Sequence, residues 1–215
     1  LELIAGAVAN LAVVGWTTLG DAVSRALTNL EPENRIPAIP TGFPKLDEFL
    51  GGGFKRKRSY CIAGRPAMGK TALGAQIALN MARAGYRVAF FSLEMSDEDL
   101  ALRFLSSMTG IDGLKLQAGN VDEDEKDLLA EAAGELYGLP LKINPHGEDV
   151  GLFSAIRQLS ATEGLDAVFL DYIQLVEVAG NQNRNDAIGT VSRRLKLGAM
   201  ALDFVAVPLS QMSRA

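Results

Sequence analysis

The sequence contains very little cysteine or histidine. Cys61 is the only cysteine among the 215 residues, and His146 is the only histidine. One thiol excludes a disulfide within the chain, so we expect a reducing compartment such as the cytoplasm. Cys61 lies in an apolar run and is interpreted as a small buried residue. His146, between a proline and a glycine, is interpreted as a surface turn residue. The sequence therefore predicts neither a disulfide framework nor a catalytic histidine.

A second absence is a long apolar segment. The apolar stretch at the start, Leu1–Trp16, contains Glu2 and Asn10 and is too short to cross a bilayer. It also lacks the basic region that begins a signal peptide. We therefore predict no membrane association, and the sequence shows no internal repeat or low-complexity segment.

One stretch carries a pattern with a specific chemical meaning. Ser59–Thr71 begins as a short apolar run, which predicts a buried strand, and continues as G-x-x-x-x-G-K-T. The next segment, Ala72–Ala84, has the composition and apolar spacing of a helix. A glycine-bounded loop between a strand and a helix is typical of the P-loop. The sequence therefore predicts that the chain binds a nucleoside triphosphate.

The residue types of this loop suit the phosphates. Gly64 and Gly69 permit backbone conformations that place successive N–H groups around an anion, and the helix that follows points its positive end at the same place. Lys70 is expected to neutralise the β- and γ-phosphates, and the Thr71 hydroxyl to ligate Mg²⁺. The predicted nucleotide-binding residues are Gly64, Arg65, Pro66, Ala67, Met68, Gly69, Lys70 and Thr71.

The rest of the chain alternates apolar strands with helices, which predicts an α/β fold whose parallel sheet is covered by helices on both faces. The further strands are predicted at Arg87–Ser92, Leu141–Asn144, Ala167–Asp171 and Phe204–Leu209. The helices that follow the P-loop helix are predicted at Asp97–Ser107, Val121–Tyr137, Val150–Thr162 and Ala187–Leu202.

A helical arm is predicted before this core. Leu1–Val14 is a candidate helix, and Thr17–Leu30 has a clearer amphipathic pattern. Glu31–Pro40 contains three prolines and predicts an extended linker. We therefore divide the chain into residues 1–40, the arm and linker, and residues 41–215, the core. The apolar face of the Thr17–Leu30 helix could cover its own domain or a neighbouring subunit, and the pattern leaves both open.

Polar residues end four of the apolar runs. In open parallel sheets, ligands bind beyond the carboxyl ends of the strands. Asp171 ends one strand as a Walker-B acid does, and we expect it to hold Mg²⁺ directly or through water. Glu94 follows another and is a candidate base for the attacking water. Gln211, with both a donor and an acceptor, could sense the γ-phosphate, although it could also be an ordinary residue at the start of a loop.

Contact with nucleic acid would have to be local, because the net charge is −5. The polar segment Glu177–Asp186 predicts a mobile loop that could meet a single strand through amides and a few cations. A disordered surface loop explains the same composition, and both interpretations stay open. The basic run Lys55–Arg58 is interpreted as a solvated turn. The candidate DNA-binding residues are Asn181, Asn183, Arg184, Arg193 and Arg194.

The motifs together resemble the motor domain of DnaB-type replicative DNA helicases. The resemblance covers about Thr17 to Ala215 and is far more specific than a P-loop alone. It is carried by Thr41-Gly42-Phe43, Leu46-Asp47, Gly51-Gly52-Gly53, Gly64–Thr71, Phe91-Ser92-Leu93-Glu94-Met95, Leu170-Asp171-Tyr172-Ile173-Gln174-Leu175 and Leu209-Ser210-Gln211-Met212-Ser213-Arg214.

The resemblance implies a RecA-like P-loop NTPase core that uses ATP and Mg²⁺. Glu94 would be the catalytic glutamate, Asp171 the Walker-B aspartate and Gln211 the sensor glutamine. The Thr17–Leu30 helix would be the linker helix that docks on the adjacent subunit of a hexameric ring. The loop at Glu177–Asp186 would lie near single-stranded DNA, with a primase and a helicase loader as possible partners.

The sequence departs from the family pattern at both ends. The family's later strands, its second DNA loop and the arginine finger given to a neighbour would lie beyond Ala215, and its primase-interacting domain is not found. We therefore expect a fragment or shortened relative, weakly active or inactive when isolated.

Two other functions are compatible with a P-loop of this type. One is a RecA- or RadA-type recombination ATPase, which the motifs around Glu94 and Asp171 disfavour. The other is a non-catalytic ATP-binding assembly module. The function predicted first is an ATP hydrolase that moves along single-stranded DNA and unwinds duplex as a ring.

Overall fold

The computed structural model describes residues 17–31, 34, 36–145, 149–178 and 183–212. The chain forms two compact units that meet in sequence between Pro37 and Ala38. The predicted helix at Leu1–Val14 and the predicted surface turn at His146 lie outside the described residues.

The first unit contains helix α1, Leu19–Thr28, which is two residues shorter at each end than the pattern predicts. Thr18 caps it, because its hydroxyl oxygen accepts a hydrogen bond from the Asp21 N–H at 3.1 Å. No residue of α1 is buried. Its apolar side chains are therefore exposed, among them Leu19 and Leu27.

The second unit is built on one sheet of five parallel strands in the order β1-β5-β4-β2-β3. The strands are β1 (Ile62–Gly64), β2 (Val88–Ser92), β3 (Leu141–Asn144), β4 (Ala167–Asp171) and β5 (Val205–Gln211). The helices are α2 (Pro44–Phe49), α3 (Lys70–Arg83), α4 (Asp97–Thr109), α5 (Gly113–Gln117), α6 (Glu123–Tyr137), α7 (Asp149–Thr162) and α8 (Arg184–Leu202), with a 3-10 helix at Ile173–Leu175.

Helices cover both faces of this sheet, because alternate strand residues point to opposite sides. Phe90 and Phe169 face one core, formed with residues of α3 and α4. Phe91 and Leu170 face the other, formed with residues of α7 and α8. The α/β fold and the two covered faces predicted from the sequence are confirmed.

The helix starts follow local capping chemistry. The Ser96 hydroxyl oxygen accepts from the Asp99 N–H at 3.0 Å and begins α4, as the spacing of these residues predicts. Asp122 and Glu125 form a reciprocal capping box at α6. The short helix α5 was not predicted, since five residues carry too little periodicity to be recognised.

Three local predictions are wrong. β1 was expected to be a buried strand and Cys61 a buried residue, but β1 is an edge strand that pairs with β5, and Cys61 is exposed. The loop at Glu177–Asp186 was expected to reach Asp186, but α8 already begins at Arg184. The Asn183 side chain caps that helix by accepting from the Asn185 N–H at 3.0 Å, and asparagine suits both a loop and a cap.

A buried contact explains the Thr-Gly motif that opens the second unit. Thr41 is buried, and its N–H donates to the Asp47 carboxylate at 2.8 Å. Its carbonyl accepts from the Asn80 side chain of α3 at 3.0 Å. Gly42 has φ +81°, and a Cβ there would lie 2.3 Å from Asn80 Nδ2. Only glycine fits this close approach, so the segment is fixed on the helix that follows the P-loop.

Asp166 holds together the edge of the sheet at the amino ends of the strands. Its side chain is almost fully buried, and it accepts hydrogen bonds from the Arg87 N–H at 2.8 Å and the Arg87 Nε at 2.9 Å. Arg56 forms a short ion pair with the other carboxylate oxygen. Burial alone would raise the pKa of Asp166, but the hydrogen bonds from Arg87 and Arg56 outweigh it and hold that pKa well below its usual range.

Asp166→Ala should lower the free energy of unfolding by about 2 kcal/mol at neutral pH, because both guanidinium groups and one backbone N–H lose their acceptor. The folded-state pKa lies below the unfolded value, so this stabilisation is present above about pH 4 and is lost as the pH falls below it. Urea denaturation at pH 7 and at pH 3 measures both effects.

Asp127→Ala is the matched control for this prediction, since Asp127 is an exposed residue of α6. It should leave the unfolding curve nearly unchanged. An Asp166→Ala protein as stable as the control at pH 7, or equally destabilised at both pH values, would contradict the assignment.

Candidate functional site

The carboxyl ends of β1, β2 and β5 open into one cavity, which we call the first cavity. It has a volume of about 360 Å³. Its lining comes from residues far apart in the chain, which the parallel sheet brings to one edge. They are Pro66, Ala67, Gly69, Lys70, Thr71, Ala72, Glu94, Met95, Arg103 and Gln211.

The loop between β1 and α3 forms the floor of this cavity. Gly69 has φ +81° and begins α3, so the helix N-terminus and its free N–H groups face the cavity. Gly64 lies close to this helix start, since a Cβ there would be 3.2 Å from Lys70 Cγ, a tight contact. Lys70 Nζ lies 3.5 Å from the Arg65 carbonyl oxygen. The arrangement suits an anion with several oxygens.

Asp171 ends β4 beneath the first cavity and is buried. Neither carboxylate oxygen has a hydrogen-bond partner among the residues that the structure describes. Burial raises the pKa of Asp171, while the nearby Thr71 hydroxyl lowers it, Glu94 raises it, and the charges of Lys70 and Arg103 lower it. Because a buried carboxylate needs a partner, the pair Asp171 and Thr71 fits a divalent cation with oxygen ligands.

A cluster of three or more His, Cys, Asp or Glu side chains is not found in the described ranges. Magnesium in phosphate sites usually has one or two protein ligands and completes its shell with water and phosphate.

Glu94 reaches the cavity through a turn after β2. The Leu93 N–H donates to the Asp171 carbonyl at 2.8 Å, which keeps the turn beside β4. The Ser92 hydroxyl donates to the Met95 carbonyl at 2.7 Å and closes it. The exposed Glu94 side chain is thereby directed into the cavity, where it faces the phosphate-binding loop.

Arg103 is a member of this site that the sequence did not reveal. It lies on α4 and lines the first cavity together with Lys70 and Glu94. Its Nε is buried and has no hydrogen-bond partner within the described part of the chain, and its Nη2 lies 3.6 Å from Met95 Sδ. A single arginine in a helix usually marks a solvated face, so only the packing of α4 could identify it.

A second cavity of about 670 Å³ adjoins the first, and Pro66 and Gln211 line both. Its other lining residues are Tyr172, Gln174, Arg184, Asn185, Ile188 and Met212. Of the candidate DNA-binding residues, Arg184 therefore lines the same cavity as Gln211, and Asn183 is the capping residue before it.

Two other DNA candidates, Arg193 and Arg194, lie further along α8. Asn181 lies outside the described residues. Arg193 and Arg194 follow Arg184 by nine and ten positions, about 14 Å along the helix axis. The Arg194 guanidinium carbon lies 4.1 Å from the centre of the Phe153 ring, so this side chain packs on α7.

Comparison with known proteins gives consistent results. The sequence model of the family described as "DnaB-like helicase C terminal domain" matches residues 38–215. The chain is 38% identical over 194 residues to replicative DNA helicase DnaB of Synechocystis, covering 88% of this chain and 22% of that protein. It is 35% identical over 208 residues to replicative DNA helicase DnaC of Bacillus subtilis, covering 93% of this chain and 46% of that protein.

Solved structures agree with these relatives. The ATPase domain of G40P has a TM-score of 0.81 at 31% identity, over 93% of this chain and 73% of that one. A DnaB-like replicative helicase, described with its interactions with primase, has a TM-score of 0.82 at 31% identity, over 93% of this chain and 49% of that one. The chain thus spans less than half of the two curated relatives. No helix in the described ranges is long and apolar enough to cross a membrane.

Proposed function

Because this chain belongs to the family of DnaB-like helicase C-terminal domains, we propose that it is the RecA-like motor of a replicative DNA helicase. The motor hydrolyses ATP to move along single-stranded DNA and so unwinds duplex. The observation that carries this proposal is the first cavity, where Lys70, Glu94 and Gln211 line one space above the buried Asp171.

The loop between β1 and α3 and the first turn of α3 would bind the phosphates. Their N–H groups and the positive helix end bind the β- and γ-phosphates, and Lys70 neutralises them. Thr71 and Asp171 would hold Mg²⁺, which when bound supplies positive charge at the phosphates. Arg103 adds a cation on the side of the cavity formed by α4. The site is thus positively charged where phosphoryl transfer concentrates negative charge.

The chemical step needs a base and a sensor. Glu94 orients the attacking water and accepts its proton. Gln211, at the end of the strand between β1 and β4, contacts the γ-phosphate with its side-chain amide. Loss of that phosphate removes the contact, and the change reaches the second cavity because Gln211 lines both.

Single-stranded DNA is proposed to bind at the start of α8. Asn183 and Arg184 supply an amide and a cation there, with Asn181 before them and Arg193 and Arg194 further along the same helix. Such a surface binds the DNA backbone without reading its sequence. Arg184 also lines the second cavity, so this contact site adjoins the proposed sensor.

We further propose that identical subunits form a hexameric ring. The arm at residues 1–40 would join each subunit to its neighbour. The exposed apolar side chains Leu19, Val23 and Leu27 of α1 are suited to docking on a neighbouring core at 41–215. A primase and a helicase loader are further proposed partners; contact with primase is described for one of the related structures. A cytoplasmic location stays a prediction from the sequence.

The two alternatives have less support. The relatives named above are replicative helicases, and a recombination ATPase would have to use the same motifs for strand exchange. A non-catalytic assembly module would not need the Glu94 carboxylate in the first cavity, and it predicts ATP binding without turnover.

The test is ATP hydrolysis by a longer protein that contains this chain, with and without oligo(dT), at two salt concentrations. We expect single-stranded DNA to raise the rate several-fold and salt to weaken that effect. Arg184→Ala should reduce the stimulation without changing the rate in the absence of DNA. Arg157→Ala, which changes an exposed arginine of α7, is the matched control. A rate indifferent to DNA would refute the proposal for single-stranded DNA.

A further inference from the structure

The end of β5 has no backbone partner on the side of β4. The pairing of β4 with β5 ends at Leu170 and Pro208, because the chain after Asp171 leaves the sheet and forms the 3-10 helix. On its other side β5 continues to pair with β1, up to Gly64 opposite Gln211. The peptide groups of Gln211 that point towards β4 would therefore be unsatisfied without another partner.

The side chain of Gln174 supplies that partner. The Gln211 N–H donates to Gln174 Oε1 at 3.2 Å, and Gln174 Nε2 donates to the Gln211 carbonyl at 3.0 Å. Gln174 Nε2 also lies 2.9 Å from the Ser210 hydroxyl oxygen. The side-chain amide thus pairs with β5 as a peptide group of a neighbouring strand would.

This pairing reaches the phosphate-binding loop as well. The Met212 N–H donates to the Gly64 carbonyl at 3.0 Å, so the segment held by Gln174 is held on its other side by the first glycine of the loop. Gln211 is fixed between the strand that carries the loop and the helix that follows Asp171. Gln211 lines the first cavity as well as the second.

We propose that Gln174 is a positioning residue that aims the Gln211 side chain at the γ-phosphate. The inference rests on the proposed function, since it assigns Gln174 a part in the same site. Gln174 lines the second cavity but not the first. We therefore expect it to act on the nucleotide through Gln211. Its effect is therefore on turnover and on recognition of the γ-phosphate rather than on binding of the nucleotide as a whole.

The pairing can be tested without nucleotide. Gln174→Ala should speed hydrogen exchange of the Gln211 backbone N–H, measured by NMR in the free chain, by roughly tenfold, since that N–H loses its acceptor. Gln174→Glu keeps an acceptor for this N–H and should leave its exchange slow. Unchanged exchange in Gln174→Ala would overturn the pairing.

The positioning role is tested by a double-mutant cycle. Gln174→Ala should lower kcat by roughly 10- to 100-fold, as a misplaced group does, with little change in the KM for ATP. It should also reduce the preference for the β,γ-imido analogue of ATP over ADP. Added to Gln211→Ala, it should have almost no further effect, because its action passes through Gln211.

Gln158→Ala, at an exposed position of α7, is the matched control and should leave kcat and nucleotide preference unchanged. Additive effects of the Gln174 and Gln211 substitutions, or an unchanged kcat in Gln174→Ala, would overturn the positioning role. Failure of the proposed function differs from this, because then the unsubstituted protein itself would not hydrolyse ATP. The hydrogen-exchange result does not depend on hydrolysis.

Discussion

Lys70→Ala is expected to weaken ATP binding and to remove hydrolysis. Lys70 is the first residue of α3 and lines the first cavity beside the phosphate-binding loop. Within the described chain its ammonium group has only a 3.5 Å contact to the Arg65 carbonyl, so its charge is available to a ligand. Hydrogen bonds to charged groups contribute about 1.5–3 kcal/mol each, which corresponds to a roughly 10- to 150-fold weaker Kd.

Turnover should fall further than binding. The lysine charge is most valuable where negative charge builds up on the transferred phosphoryl group, and loss of one such donor lowers kcat by about 10²- to 10³-fold. Fluorescence titration with a labelled ATP analogue measures the Kd, and single-turnover hydrolysis measures the chemical step. Both should change, and the free energy of unfolding should not.

Lys126→Ala is the matched control. Lys126 is an exposed residue of α6 whose ammonium group pairs with Glu123 at 2.7 Å, and exposed pairs of this kind contribute little to stability. The control should bind and hydrolyse ATP normally. If Lys70→Ala also kept its ATP affinity, the first cavity would not be the nucleotide site. The roles proposed for Glu94 and Gln211 would then be wrong as well.

The part of the site formed by consecutive residues, the loop at Gly64–Thr71, could be predicted from the sequence. A loop of fixed spacing between a strand and a helix has few alternative structures. The bounds of β3 and β4 agree with the predictions for Leu141–Asn144 and Ala167–Asp171. The apolar run of β4 ends at Asp171, and β3 is followed directly by Pro145, which leaves little freedom in either strand's bounds. The approach of Glu94, Asp171 and Gln211 also follows, since parallel strands end at one edge.

The order of the strands could not be predicted in this way. β5 lies between β1 and β4, and this arrangement leaves Cys61 exposed just before an edge strand and puts Gln211 opposite Gly64. Neither consequence is visible in the local composition. Arg103 and Gln174 were missed for the same reason, because a helix position and a side-chain amide acquire their roles only from what packs against them. Asn183 shows a further limit, since asparagine is equally common in loops and at helix caps.

Glu94→Gln is expected to abolish hydrolysis while ATP binding is retained. The amide has nearly the shape of the carboxylate but cannot accept a proton, and the loss of a general base lowers the rate by about 10²- to 10⁴-fold. Glu94 is exposed, and the turn that carries it is held by the backbone of Leu93 and the hydroxyl of Ser92. The substitution should therefore leave the fold and the phosphate-binding loop intact.

The comparison of Glu94→Gln with Lys70→Ala separates catalysis from binding. Single-turnover hydrolysis should be lost in both, whereas the Kd for ATP should weaken only in Lys70→Ala. Glu98→Gln, at an exposed position in the first turn of α4, provides the matched control and should hydrolyse ATP normally. An assembly module without catalysis predicts instead that Glu94→Gln changes neither quantity. Unchanged hydrolysis in Glu94→Gln, above the level of Lys70→Ala, would mean that another group activates the water.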